Sequence, residues 1–79
     1  MIKIYTLKGC HNCELAKELI SKYGIVFDEV DCLEAINEIP RYLKLGEIDL
    51  PILKVQDNFF SIGPKMDYLQ SIIDKILKI

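Results

Sequence analysis

Ile2-Lys3-Ile4-Tyr5-Thr6-Leu7-Lys8-Gly9-Cys10-His11-Asn12-Cys13 changes its period part-way along, and that change sets the fold. Ile2 through Leu7 alternates apolar and polar positions and carries β-branched and aromatic residues, so it reads as a strand. Lys8-Gly9 turns the chain. From about His11 the spacing becomes helical: Leu15, Ala16, Leu19, Ile20 and Tyr23 share one face. Gly24 is placed to end this helix as a left-handed cap. Ile25-Val26-Phe27-Asp28-Glu29-Val30 follows as a second strand. Strand, helix and strand within about thirty residues make a βαβ unit, with parallel strands and a right-handed crossover.

Working outward, Leu33, Ile36 and Ile39 suit a helix, yet Pro40 cannot continue one without losing a backbone hydrogen bond. The segment Leu33–Leu45 is expected to be helical but interrupted. Pro40 is then placed to open a second short helix, Pro40–Leu45, that Gly46 ends. Pro51–Val55 and Phe59–Ile62 flank Gln56-Asp57-Asn58, and Asp and Asn tolerate turn geometry, so this stretch reads as a β-hairpin. Gly63-Pro64 breaks the strand, and Pro64 suits the first turn of a helix. Met66, Leu69, Ile72, Ile73, Ile76 and Leu77 mark an amphipathic helix at the end of the chain. The order is β-α-β-α-β-β-α, an α/β class. No repeat, low-complexity tract or linker divides it, so residues 1–79 are expected to form one domain.

The 79 residues are 51% apolar and 28% charged, the balance of a globular chain rather than a disordered one. The net charge of −2 leaves no basic stripe, which excludes nucleic acid as an expected partner. No apolar run approaches the roughly 18–20 residues of a membrane span, and the N-terminus lacks the apolar core of a signal peptide. A cytoplasmic location is expected. Three cysteines are an odd count, which argues against a secreted disulfide framework.

Cys10 falls in the turn that opens the first helix, where free amide N–H groups and the positive end of the helix dipole point. A thiolate there is stabilised, so its pKa should fall below that of a free cysteine. Lys8 adds positive potential, screened if exposed. Cys13 lies about one helical turn further on, near enough to bond to Cys10 and more buried. An exposed, acidified thiol backed by a shielded one suits thiol–disulfide exchange. The Cys10 thiolate attacks a substrate disulfide; Cys13 then attacks Cys10 and releases the reduced product. Other readings compete. Zinc wants four ligands, and only His11 and Cys32 are left over, with His11 poorly placed beside Cys10, so no metal ligands are assigned. Two inert cysteines would be expected on the apolar stripe rather than on a turn. Cys32 itself is expected to be a semi-buried small apolar residue.

Tyr5-Thr6-Leu7-Lys8-Gly9-Cys10-His11-Asn12-Cys13, Leu50-Pro51 and Ile62-Gly63-Pro64-Lys65-Met66-Asp67 together resemble three motifs of the glutaredoxin-like branch of the thioredoxin superfamily, in order and over nearly the whole chain. That branch includes glutaredoxins and the small electron donors of ribonucleotide reductase. The resemblance implies a thioredoxin-like fold, a four-stranded mixed sheet with helices on both faces. It implies that Cys10 is the nucleophile and Cys13 the resolving thiol. Pro51 would be cis and pack against Cys10, and the backbone of Leu50 would pair with glutathione or a substrate peptide. Lys8, His11, Gly63 and Asp67 complete the implied substrate or glutathione site, Lys8 toward a carboxylate and Asp67 toward the amino group. No bound cofactor is implied. Glutathione is the expected electron donor and disulfide-bearing proteins the expected partners of a monomer. The competing donor is a flavin-dependent disulfide reductase, and the competing class is a non-catalytic metal- or protein-binding module.

The chain departs from this pattern in two places. His11-Asn12 stands where the family often has Pro-Tyr, which removes an aromatic that would pack glutathione. Pro64 stands in place of the second glycine of a Gly-Gly turn, which removes a backbone donor.

Overall fold

The computed structural model describes residues 2–44 and 49–78. Four strands form one mixed sheet in the order β2-β1-β3-β4. They are β1 (Ile2–Thr6), β2 (Asp28–Asp31), β3 (Ile52–Val55) and β4 (Asn58–Ser61). The helices are α1 (His11–Lys22), α2 (Arg41–Lys44) and α3 (Met66–Leu77), with a 3₁₀ turn at Ile36–Glu38. β1 runs parallel to β2 and antiparallel to β3, and β3 is antiparallel to β4. This is the expected order and the thioredoxin-like arrangement. Among the described residues no helix is long and apolar enough to cross a membrane.

Side chains alternate across a strand, and the two central strands use both faces. Ile4, opposite Leu53, packs with Ala16 and Ile20 of α1 and with Leu69, Ile72 and Ile73 of α3. Tyr5, opposite Ile52, packs on the other face with Cys32, Ala35 and Ile39 from the β2–β3 connection. α1 and α3 therefore cover one face and the β2–β3 connection, with its 3₁₀ turn and α2, covers the other, so β1 is buried on both rather than one. Tyr5 also donates its hydroxyl to Glu38 at 3.1 Å. Burial, and then that carboxylate, pushes its pKa up to about 12, so it stays a neutral donor.

The departures have local causes. β1 ends at Thr6, one residue early, because Leu7 begins the turn. β2 starts at Asp28 rather than Ile25: Lys3 pairs with Asp28, and that register leaves Ile25 and Val26 beyond the start of β1. Val26 is 87% exposed, while Ile25 and Phe27 pack against the core. Gly24 does end α1 with φ +71°. On α1, Ala16 and Ile20 are buried, but Leu15 and Tyr23 sit at the exposed margins of the stripe.

In the β2–β3 connection Asp31 accepts the N–H groups of Leu33 and Glu34 at 2.8 and 3.2 Å. This Asx turn replaces the expected start of a helix and throws Leu33 out to 69% exposure. Pro40 opens α2 through its carbonyl, which accepts Leu43 N–H; Leu45 and Gly46 lie outside the described residues. The hairpin loop is two residues, not three, since Asn58 pairs with Val55, and the left-handed φ of +55° falls on Gln56. β4 is thereby Asn58–Ser61 and not Phe59–Ile62. Pro64 lies in the turn before α3 rather than in its first turn.

Leu69 is fully buried in α3, so Leu69→Ala is expected to lose about 2–5 kcal/mol. A methyl added to Gly24 meets nothing within 4 Å, so Gly24→Ala should lose only the backbone penalty, about 1 kcal/mol. Urea unfolding checks both, and equal losses would contradict this division between packing and backbone.

Candidate active site

The register brings the site together. Tyr5 is paired with Ile52, so the end of β1 and the start of β3 lie at one end of the sheet. Ile62 N–H donates to Pro51 O at 2.9 Å, which ties the segment after β4 to that same end. The cysteine turn, the Leu50–Pro51 step and the approach to α3 therefore converge. The Leu50–Pro51 bond is cis, as the resemblance implied. Pro51 is buried and Leu50 half-buried against the second core cluster.

Cys10 is the N-cap of α1. Its N–H donates to Leu7 O, which closes the turn, and its carbonyl accepts Glu14 N–H. Its Sγ accepts the N–H of Cys13 at 3.1 Å. A sulfur thus occupies the place of the Ser or Asp oxygen usual at a helix cap. Cys13 is 1% exposed and Cys10 half-buried. The two are joined in a disulfide with Cα atoms 5.2 Å apart, inside the range that permits closure without backbone movement. Cys32 is free and buried; burial first, and then Asp31, pushes its thiol up, away from nucleophilic use. Among the described residues no group of three or more His, Cys, Asp or Glu is arranged to hold a metal.

Lys8, His11 and Asp67 are all exposed. Lys8 lines a cavity with Thr6, Leu7, Gly9, Glu14, Glu29 and Asp31, on the β2 side of the turn. His11 begins α1, and Asp67 lies in the first turn of α3. Gly63 is buried with φ +57°.

A polar network that the sequence did not announce stands beneath this turn. Thr6 Oγ1 donates to Glu29 Oε2 at 2.8 Å, and Lys17 Nζ reaches Glu29 at 3.0 Å and Glu14 at 2.9 Å. It ties the end of β1 and the edge strand β2 to the helix that carries the cysteines. Lys17, and then Thr6, hold the Glu29 carboxyl below its usual value, while Glu14 and Glu29 raise the Lys17 ammonium. The Glu14–Lys17 spacing was visible in the sequence, but Glu29 joins only through the β1–β2 register.

The glutaredoxin family model matches residues 2–59. The chain belongs to the glutaredoxin family. It is 26% identical to the glutaredoxin-like protein NrdH of Lactococcus lactis subsp. lactis (strain IL1403) over 61 residues, 77% of this chain and 85% of that protein. It is 31% identical to the Gene 56 protein of Mycobacterium phage L5 over 75 residues, 92% of this chain and 72% of that one. Its fold matches the glutaredoxin-like NrdH-redoxin from Escherichia coli with a TM-score of 0.69 at 22% identity, covering 90% of this chain and 92% of the other. With its cysteine pair, this glutaredoxin-family protein is a dithiol disulfide oxidoreductase of the redoxin kind, which works without a prosthetic cofactor.

Glu29 has its carboxyl lowered below 4.5, so its contribution to stability is present above that value and is lost as pH falls through the lower folded-state pKa. Lys17→Met is expected to destabilise by about 0.5–1 kcal/mol at pH 7, since the pairs are part-exposed. The difference should shrink as pH falls below the ordinary glutamate range, since protonated Glu29 no longer pairs with Lys17; denaturant titrations at neutral and at acid pH check this.

Proposed function

We propose that Cys10 is the attacking thiolate, that Cys13 resolves the mixed disulfide, and that electrons come from a flavin-dependent disulfide reductase rather than from glutathione. The hydrogen bond from Cys13 N–H to Cys10 Sγ carries the first part. An amide aimed at sulfur, with the helix dipole behind it, favours the anion over the thiol.

The electron pair then moves in two steps. The Cys10 thiolate attacks one sulfur of the substrate disulfide. The Cys10–substrate bond forms, the substrate S–S bond breaks, and the departing thiolate takes a proton. The Cys13 sulfur, deprotonated, attacks Cys10 from the helix side. The Cys10–Cys13 disulfide forms and the second substrate thiolate leaves. The substrate is reduced by two electrons and the protein oxidised by two, the state with both cysteines joined. The reductase restores the dithiol. Leu50 presents backbone to the extended substrate chain beside Pro51, and Lys8, His11, Gly63 and Asp67 form the rim around it.

The choice of donor rests on the turn before α3. Pro64 has no N–H. Lys65 N–H is spent on Ile62 O at 3.1 Å and Met66 N–H on Pro64 O at 3.0 Å. These consecutive positions offer no free amide to a glutathione carboxylate, and no aromatic separates the cysteines to pack it. The Escherichia coli protein of this fold is described as glutaredoxin-like with a thioredoxin-like activity profile, which supports the same reading. We place the protein in the cytoplasm as a monomer whose substrates are protein disulfides, with ribonucleotide reductase the class the resemblance suggests.

Two assays test this. Turnover is expected with NADPH and a flavin disulfide reductase and should be at least about tenfold slower with glutathione and its reductase; comparable turnover with glutathione alone overturns the donor assignment. Cys10→Ser should abolish exchange with any disulfide. Cys13→Ser should accumulate a mixed disulfide with substrate, visible by mass spectrometry, and failure to accumulate it overturns the roles of the two thiols.

A further inference from the structure

We propose that Asp49 is a specificity residue, whose carboxylate lies over the Gly63 turn and keeps carboxylate-bearing glutathione disulfides off the Leu50–Pro51 platform. The inference rests on the reading of Cys10 and Cys13 as an exchanging dithiol and of Leu50 as the backbone that receives substrate.

Asp49 immediately precedes Leu50. Its main-chain carbonyl accepts the Ser61 hydroxyl at 2.9 Å, which locks it to the end of β4. Its side chain reaches across to Gly63. A Cβ built on Gly63 would stand 2.8 Å from Asp49 Cβ, 3.2 Å from its Cγ and 3.6 Å from Oδ2. The hydrogen of Gly63 leaves just the room that Asp49 fills. The exposed Asp49 carboxylate therefore lies beside the turn whose amides, in the glutathione-binding pattern, would face a substrate carboxylate.

Among the described residues Asp49 makes no ion pair. Lys65, two positions beyond Gly63, is exposed and does not pair with it. Glutathione carries two carboxylates and one ammonium. A carboxylate approaching the Gly63–Pro64 turn meets like charge and no free amide at Pro64, Lys65 or Met66. A peptide disulfide that is neutral or basic next to its cysteine meets no such repulsion. Selection by a like charge placed against the wrong partner is a general route to specificity.

The experiment follows oxidation of the pre-reduced protein in a single turnover, so no donor enters. Two disulfides are compared: glutathione disulfide and the uncharged bis(2-hydroxyethyl) disulfide. The readout is the ratio of their second-order rate constants. Asp49→Asn is expected to raise the ratio, in favour of glutathione disulfide, by about tenfold at low ionic strength. The gain should shrink toward unity in about 1 M salt. Asp49→Glu, which keeps the charge, should stay within about twofold of the wild-type ratio. An unchanged ratio in Asp49→Asn, or a ratio raised equally at both ionic strengths, overturns the assignment. A wild-type protein that neither disulfide oxidises overturns the dithiol reading instead, so the two failures are separable.

Discussion

One hydrogen bond organises this molecule: the amide of Cys13 pointing at the sulfur of Cys10. A helix must leave its first N–H groups without intrahelical partners. In most helices a hydroxyl or carboxylate side chain meets them. Here the cap is a sulfur, so the element that needs an acceptor and the group that needs stabilising as an anion satisfy each other. The C-x-x-C spacing follows from the same geometry. The N-cap accepts from the N–H three residues on, and the residue that supplies it bears the second thiol, so cap and disulfide need one and the same separation.

The rest of the fold keeps that bond in place. Ile20 and Ala16 press α1 onto Ile4 and Leu53, while Tyr5 and Ile52 fill the opposite face. Lys17 links α1 to Glu29, and Glu29 links to Thr6 at the end of β1. The turn between strand and helix is thus held at both of its ends. Such part-exposed pairs contribute little to stability singly. Their place is what they add: they join α1, the end of β1 and β2 beside the turn that carries the cysteines.

What the sequence disclosed divides along a physical line. Features set by local chemistry were legible: the period change near Cys10, the cap at Gly24, the stripe of α3, the break at Pro40. The resemblance carried the cis bond at Leu50–Pro51, which composition alone would have read as an ordinary strand-start proline. Features set by tertiary register were not legible. Ile25 and Val26 have good strand propensity, yet β1 offers them no partner. Leu33 is apolar and points outward because Asp31, a residue with no periodic signal, captures the next amides. Gln56 rather than Asp57 or Asn58 takes the left-handed position, since register and not propensity chose the loop. In the site, Cys10 and Cys13 were found from spacing. Thr6, Lys17, Glu29 and Asp49 act through neighbours 12 or more positions away, which no window along the chain contains.

This division also separates the two tasks of the protein. Electron transfer is carried by Cys10 and Cys13 at the start of α1, a local device. In the reading proposed above, partner choice is built elsewhere, from the loops before β3 and after β4, which are remote in sequence and meet through Ser61, Asp49 and Gly63. The segment matched by the family model ends at residue 59, before the turn at Gly63-Pro64. A change at that turn alters which carboxylates are tolerated and leaves the Cys13-to-Cys10 bond untouched, because no backbone of α1 takes part in it. The family match therefore follows the cysteines and the sheet, while the loop that meets the Leu50–Pro51 step lies beyond it.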